Sequence, residues 1–272
     1  MGPYLSLFAT QFQLTLQYRT AAVAGFVTQC WWGGLKIAVL SAFFATGRAA
    51  DAPIGLAQLV SYVWLAQGLL ALQPWNGDPA VAAAVRTGEV ALERLRPVDT
   101  YWWWYARSAS TLVSRALPRA ALMVAFAGVA LPLAGLGAWG LSPPAGLGAG
   151  LAFLVSLVLV VALAATVVML INVLIVTTMT DRGANTMVAP FVILLSGSEI
   201  PLPLLPDVLH AFLFVQPLAG VMDIPFRIYV GDLTGLMAAA GVGLQVFWTV
   251  VLALVGRRLL ARAMQRLEVQ GG

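Results

Sequence analysis

Residues 120–180 form a run of 61 positions without a single Asp, Glu, Lys or Arg. A helix rises about 1.5 Å per residue and crosses hydrocarbon about 30 Å thick with about 20 apolar residues. The run is therefore long enough for two crossings. Gly135, Gly137, Gly140 and the Pro143-Pro144 pair interrupt it and predict a tight turn between them. Charge-free stretches recur at 52–77 and 233–256, residues 21–45 hold only Lys36, and residues 183–198 are apolar but short. Charged residues make up 10% of the chain, against about 25% in soluble domains, so burial inside a soluble fold cannot hide this much apolar surface. The pattern predicts an all-α integral membrane protein, one transmembrane domain over residues 1–272. Its six transmembrane helices fall at 21–46, 55–76, 112–138, 147–179, 184–198 and 233–256.

Arginine placement orients the spans. Six crossings put both termini on one side. Twelve arginines fall there (Arg19, Arg86, Arg94, Arg96, Arg107, Arg115, Arg119, Arg182, Arg257, Arg258, Arg262 and Arg266), against two, Arg48 and Arg227, on the other. Both termini are expected in the cytoplasm, with 257–272 as a cytoplasmic tail. The pI near 9.6 then reports topology and contact with anionic lipid, with no need of nucleic acid.

Two connecting segments and the N-terminus carry further information. Residues 1–20 predict an interfacial helix: Leu5, Phe8, Phe12 and Leu16 share one face, and Ser6, Thr10, Gln13 and Gln17 another. The loop at 77–111 holds Asp78-Pro79, a helix start, and a stop at Thr87-Gly88. Residues 89–96 can form a second short helix, ended by Pro97. Such a mixed-charge helix suits docking into a partner's groove; a solvated connector fits equally. Tyr101, Trp102, Trp103, Trp104 and Tyr105 read as an aromatic belt before the third span. The segment at 199–232 combines Pro201, Pro203, Pro206, Pro217 and Pro225 with many Leu, Phe and Val residues. That mixture predicts a broken, re-entrant helical hairpin on the outer side, with Glu199, Asp207, Asp223 and Asp232 facing water.

The sequence RTGEVALERLRPV at 86–98 and the sequence LSGSEIPLPLLP at 195–206, with Gln216-Pro217 beyond, are similar to the corresponding elements of type-2 ATP-binding-cassette (ABC) exporter permeases. They most resemble a viologen-exporter-like bacterial subfamily. Arg94 departs from its pattern, standing where many relatives have an apolar residue. The resemblance implies a multi-pass half-transporter of the bacterial cytoplasmic membrane. Two permease chains, more often related partners than identical copies, would sit above two ABC ATPase subunits that bind ATP and magnesium. Residues 88–97 would be the coupling helix, with Arg86, Gly88, Glu89, Leu92, Glu93, Leu95, Arg96 and Pro97 as its contact set. Residues 4–17 would be the elbow helix, and Glu199, Pro201, Pro206 and Pro217 would belong to the outer hairpin.

Some chemistry is excluded by count. The sole lysine, Lys36, lies between Leu35 and Ile37, so no G-x(4)-G-K-[ST] loop exists to hold nucleotide phosphates. One histidine, His210, and one cysteine, Cys30, exclude an internal disulfide and a Cys/His zinc site. A charge inside a span is costly unless paired, solvated or able to snorkel. Lys36 is accordingly a candidate for the pathway or permease interface, with Gln29, Gln67, Asn172 and Gln245 as weaker candidates, since amides also bond helix to helix. An ATP-independent carrier or channel is the alternative reading, and a membrane-embedded enzyme, lacking an acid–base constellation, a more distant one.

Overall fold

In the computed structural model, which describes residues 3–17, 19–47, 52–90 and 98–270, the apolar stretches are helices and no strand occurs among the described residues. They run α1 Pro3–Gln17, α2 Arg19–Ala45, α3 Leu56–Gly68, α4 Pro79–Thr87, α5 Thr100–Ala125, α6 Leu131–Leu133, α7 Leu147–Thr178, α8 Asp181–Leu195, α9 Asp207–Val215, α10 Asp223–Tyr229 and α11 Gly235–Gln270. Four stretches are long and apolar enough to cross a membrane: Val23–Ala45, Thr100–Leu133, Leu147–Thr178 and Gly235–Gln265.

Helix α7 is the axis. Its most apolar stretch is 56% buried, whereas the other three long helices bury 17%, 17% and 11% of theirs. It packs against α4, α5, α8, α10 and α11. A helix apolar on every side is one enclosed by others. The long helices around it keep wide apolar faces, including Trp31, Trp32, Val39, Phe247 and Val250, available to lipid or another chain.

The expected second and fifth spans are short. Helix α3 has 13 residues, followed by a 3-10 turn at Leu70–Leu72 and extended chain. Pro74 accounts for the break, because a residue before proline is driven out of the α region, and Gln73 has φ −68° and ψ 128°. Leu59 through Gly68 are all buried, so the helix is enclosed by protein, and Leu72, Gln73 and Pro74 of the irregular stretch after it are buried as well. Helix α8 has 15 residues and contains Pro190.

Two helices are longer than the charge pattern predicts. The helix that holds the expected third span begins at Thr100, well before 112, because Asp99 caps it by accepting the Trp102 N–H at 3.2 Å; arginines do not end a helix, they only leave hydrocarbon. The aromatic-belt reading is corrected with it. Tyr101 and Trp104 are buried, in a cluster with Val81, Val85, Ile171 and Leu260, and Trp102 faces outward. Likewise α11 continues past 256 to Gln270.

At its far end α5 leads into a π-turn, Phe126–Ala130. Pro132 has no N–H to offer the Ala127 carbonyl, and the Leu141 N–H takes that carbonyl instead, at 2.8 Å. Trp64 Nε1 donates to the Trp139 carbonyl at 2.6 Å, pinning this turn to α3. At the other end of the bundle α1 lies along α5, with Tyr4 and Trp103 ring centroids 6.2 Å apart.

Candidate functional site

Helix α4 is fixed to the arginine-rich end of the bundle by a chain of polar contacts. Asp78 caps it, accepting the Ala80 N–H on Oδ1 at 2.8 Å and Arg107 Nε on Oδ2 at 2.6 Å. The Asp78 N–H donates to Asn172 Oδ1 at 2.7 Å, and the Gly77 N–H to Asn185 Oδ1 at 3.0 Å. Any side chain at Gly77 would collide, since its Cβ would stand 2.5 Å from Ile175 Cδ1. Val81, Ala82 and Val85 are buried, their helix packed against α7. Arg86 pairs with Asp181 at the start of α8, at 3.2 Å, and Arg257 of α11 pairs with Asp99 at 3.0 Å. Gly88 ends α4 with φ 77°, a left-handed conformation that glycine adopts without strain.

Of the expected coupling residues, Arg86, Gly88 and Glu89 are exposed beside this anchored helix. Leu92, Glu93, Leu95, Arg96 and Pro97 lie outside the described residues.

The segment expected as the outer hairpin folds as α9, α10 and 3-10 turns packed together. Its prolines stand at helix starts: Pro201 precedes the turn Leu202–Leu204, Pro206 precedes α9, and Pro217 opens the turn Pro217–Gly220. No intrahelical N–H is lost at such positions. Gln216 Nε2 donates to the Leu195 carbonyl at 2.7 Å, and Gln73 Nε2 donates to Ser196 Oγ at 3.0 Å.

Of the four acids expected to face water, Asp223 does not, and the Asp232 side chain is only 16% exposed. Asp223 is fully buried, with Tyr62 Oη 2.9 Å and the Leu202 N–H 3.2 Å from Oδ1, and Arg227 Nη1 3.3 Å from Oδ2. Arg227 Nε also donates to Asp232 Oδ2 at 2.5 Å. Three donors compensate the burial. Burial still pushes the Asp223 carboxyl up, from 3.8 to about 6, against the opposing pull of Arg227, Tyr62 and the Leu202 N–H. Gly197, with φ 80°, lets the chain pass beneath the tyrosine, because a Cβ there would lie 2.6 Å from Tyr62 Oη.

Lys36 reaches this hairpin from α2: its Nζ is 2.9 Å from Glu199 Oε2 and 3.3 Å from the Ser198 carbonyl. The two weaker candidates with bonds are interhelical ties. Gln245 Nε2 donates to the Gly220 carbonyl at 2.7 Å and its Oε1 accepts Ser156 Oγ at 2.9 Å, and Asn172 holds the start of α4. Gln29 and Gln67 are buried, on α2 and α3. His210 Nε2 lies 2.7 Å from the Leu205 carbonyl, within its own segment. Sequence reasoning missed Tyr62, Asp78, Arg107 and the Asp223–Arg227–Asp232 cluster as tying residues. The i, i+4 spacing of Asp223 and Arg227 was the available signal.

An all-helical chain with four long apolar helices, its polar side chains largely engaged in ties between helices, is a multi-pass membrane protein. The family model described as "ABC-2 family transporter protein" matches residues 56–271, and the chain belongs to that family. It is thus a permease component of an ABC transporter, a class that works with ABC ATPase subunits. No curated protein and no solved structure matches it.

Proposed function

We propose that the chain is half of an exporter in a bacterial cytoplasmic membrane, of the viologen-exporter-like kind. In this reading it crosses the membrane six times, α3 serving as a short enclosed crossing and α8 as a short crossing whose Met187, Phe191 and Leu194 face outward. It pairs with a second, related permease and rests on two ATPase subunits that carry ATP and magnesium. Residues 88–97 form the coupling helix, and substrate moves outward between the two permeases.

The observation that supports this most is the anchoring of α4. Asp78, bonded to Arg107 and to Asn172, fixes the segment leading into the coupling residues against α5 and α7. A segment that receives force from a motor needs such a rigid footing. Charge reversal at Glu89 together with Glu93, or Leu92→Ala, is expected to leave membrane insertion intact and to abolish export while the ATPase still turns over. Export at the unaltered rate would overturn the coupling assignment. Affinity purification in mild detergent tests the assembly, with a co-purifying ATPase expected; transport by the isolated chain would favour a self-sufficient carrier or channel.

Lys36 belongs in this reading to the permease interface or pathway, holding the hairpin through Glu199. Its partner is half exposed, so the pair adds at most about 1 kcal/mol of stability. Lys36→Ala is expected to lower export several-fold with little change in thermal midpoint. Unchanged assembly and unchanged export would remove the assignment.

A further inference from the structure

A cleft of about 1020 Å³ lies between α1, the start of α2, the irregular segment after α3, and α5. Gln73, Ser108, Arg115 and Arg119 form its polar wall. Leu14, Val23 and Leu122 also line it, and all three are exposed, so the cleft has an apolar rim.

Depth makes the two arginines unusual. If Leu133 marks the far edge of the hydrocarbon, Arg119, 14 positions earlier, stands about 21 Å below that edge. The hydrocarbon is about 30 Å thick. Arg119 is then inside it, and Arg115 near its boundary on the arginine-rich side. Among the described residues no carboxylate pairs with either; Asp78, which also lines the cleft, is bonded to Arg107 at 2.6 Å. The Arg119 guanidinium lies close to Gly25 of α2, 3.2 Å from where a Cβ would be. A second observation points the same way: Ser108 Oγ is buried without a hydrogen-bond partner. An unpaired arginine at this depth, in a cleft that also holds an unsatisfied hydroxyl, is a costly arrangement for an empty site.

We propose that this cleft binds the anionic headgroup of a phospholipid from the leaflet on the arginine-rich side. The phosphate meets Arg115 and Arg119, and Ser108 supplies a neutral hydrogen bond. The acyl chains leave over Leu14, Val23 and Leu122 into the bilayer. A free phosphate satisfies the arginines but leaves that rim unused, and a zwitterionic headgroup brings an ammonium into a cleft that already holds two cations. Basic pockets between membrane helices recognise anionic headgroups by this chemistry. Nothing in it requires the ATPase or the second permease.

The test uses the full chain purified in neutral detergent, with unfolding followed by tryptophan fluorescence. Phosphatidylglycerol is expected to raise the melting temperature by roughly 5 °C at saturation, while phosphatidylcholine and inorganic phosphate leave it unchanged. The double variant Arg115→Ala with Arg119→Ala is expected to lose the shift, whereas Arg262→Ala, on α11 outside the cleft, keeps it. Ala121→Phe fills the cleft with both arginines present and is likewise expected to lose the shift, which covers the case of a double variant that fails to fold. An equal shift with phosphatidylcholine, a full shift with inorganic phosphate, or an undiminished phosphatidylglycerol shift in Ala121→Phe overturns the proposal.

Discussion

Asp223→Ala is expected to destabilise the protein by about 2–4 kcal/mol, because the buried Leu202 N–H loses its acceptor and Arg227 loses one of its two carboxylates. Arg227 would keep Asp232 at 2.5 Å and lose Asp223, one turn back on α10 at 3.3 Å, while Tyr62 would keep only the Gly197 carbonyl. The Asp223→Asn variant retains an acceptor oxygen and is expected to lie between wild type and alanine. The same carboxyl sets a pH dependence. Its folded-state pKa of about 6 stands above the ordinary 3.8, so the folded state holds the proton more tightly than the unfolded chain does. Its contribution is fully present below about pH 4 and is lost as pH rises through 6, by at most about 3 kcal/mol. Above that it is flat. Melting curves of wild type and Asp223→Asn between pH 4 and 7 check the sign: their difference should change across that window, and a constant difference refutes it.

Arg107→Leu is expected to act at the opposite end. The Asp78 and Arg107 side chains are only 11% and 14% exposed, so the lone carboxylate costs about 2–3 kcal/mol, somewhat less than a fully buried one. Within the exporter reading, export falls by an order of magnitude or more while ATP turnover in the complex persists, because α4 loses its hold on α5. Adding Asp78→Asn should recover much of the stability, since asparagine still caps a helix and no charge is left unpaired. A double-mutant cycle on melting temperature measures this. Additive losses from the two replacements would mean that the ion pair is not what fixes α4.

The helical membrane class was legible because charge exclusion is a property of composition along the chain. The boundaries were less so. Lipid decides where charges stop, but capping decides where helices stop, and α5 and α11 both continue through their arginines. The start of α4 was readable for the converse reason: Asp78-Pro79 and Gly88 are local signals, and the helix they bracket is the one observed. Asp223 was misplaced because its three donors come from α3, from α10 and from the turn before α9, a convergence that no local pattern carries. Asn172 and Gln245 could be named as polar groups within apolar helices, yet their bonding partners depended on packing.

The two ends of the molecule meet on one helix. Ser156, which holds Gln245, and Asn172, which holds Asp78, lie on α7 sixteen positions apart, about 24 Å along a continuous helix. The unbroken hydrogen-bond ladder between them makes α7 stiff against bending and twisting. Mechanically it is a single stiff strut keyed at each end, so the seat of α4 and the seat of the hairpin are held at a fixed separation and angle.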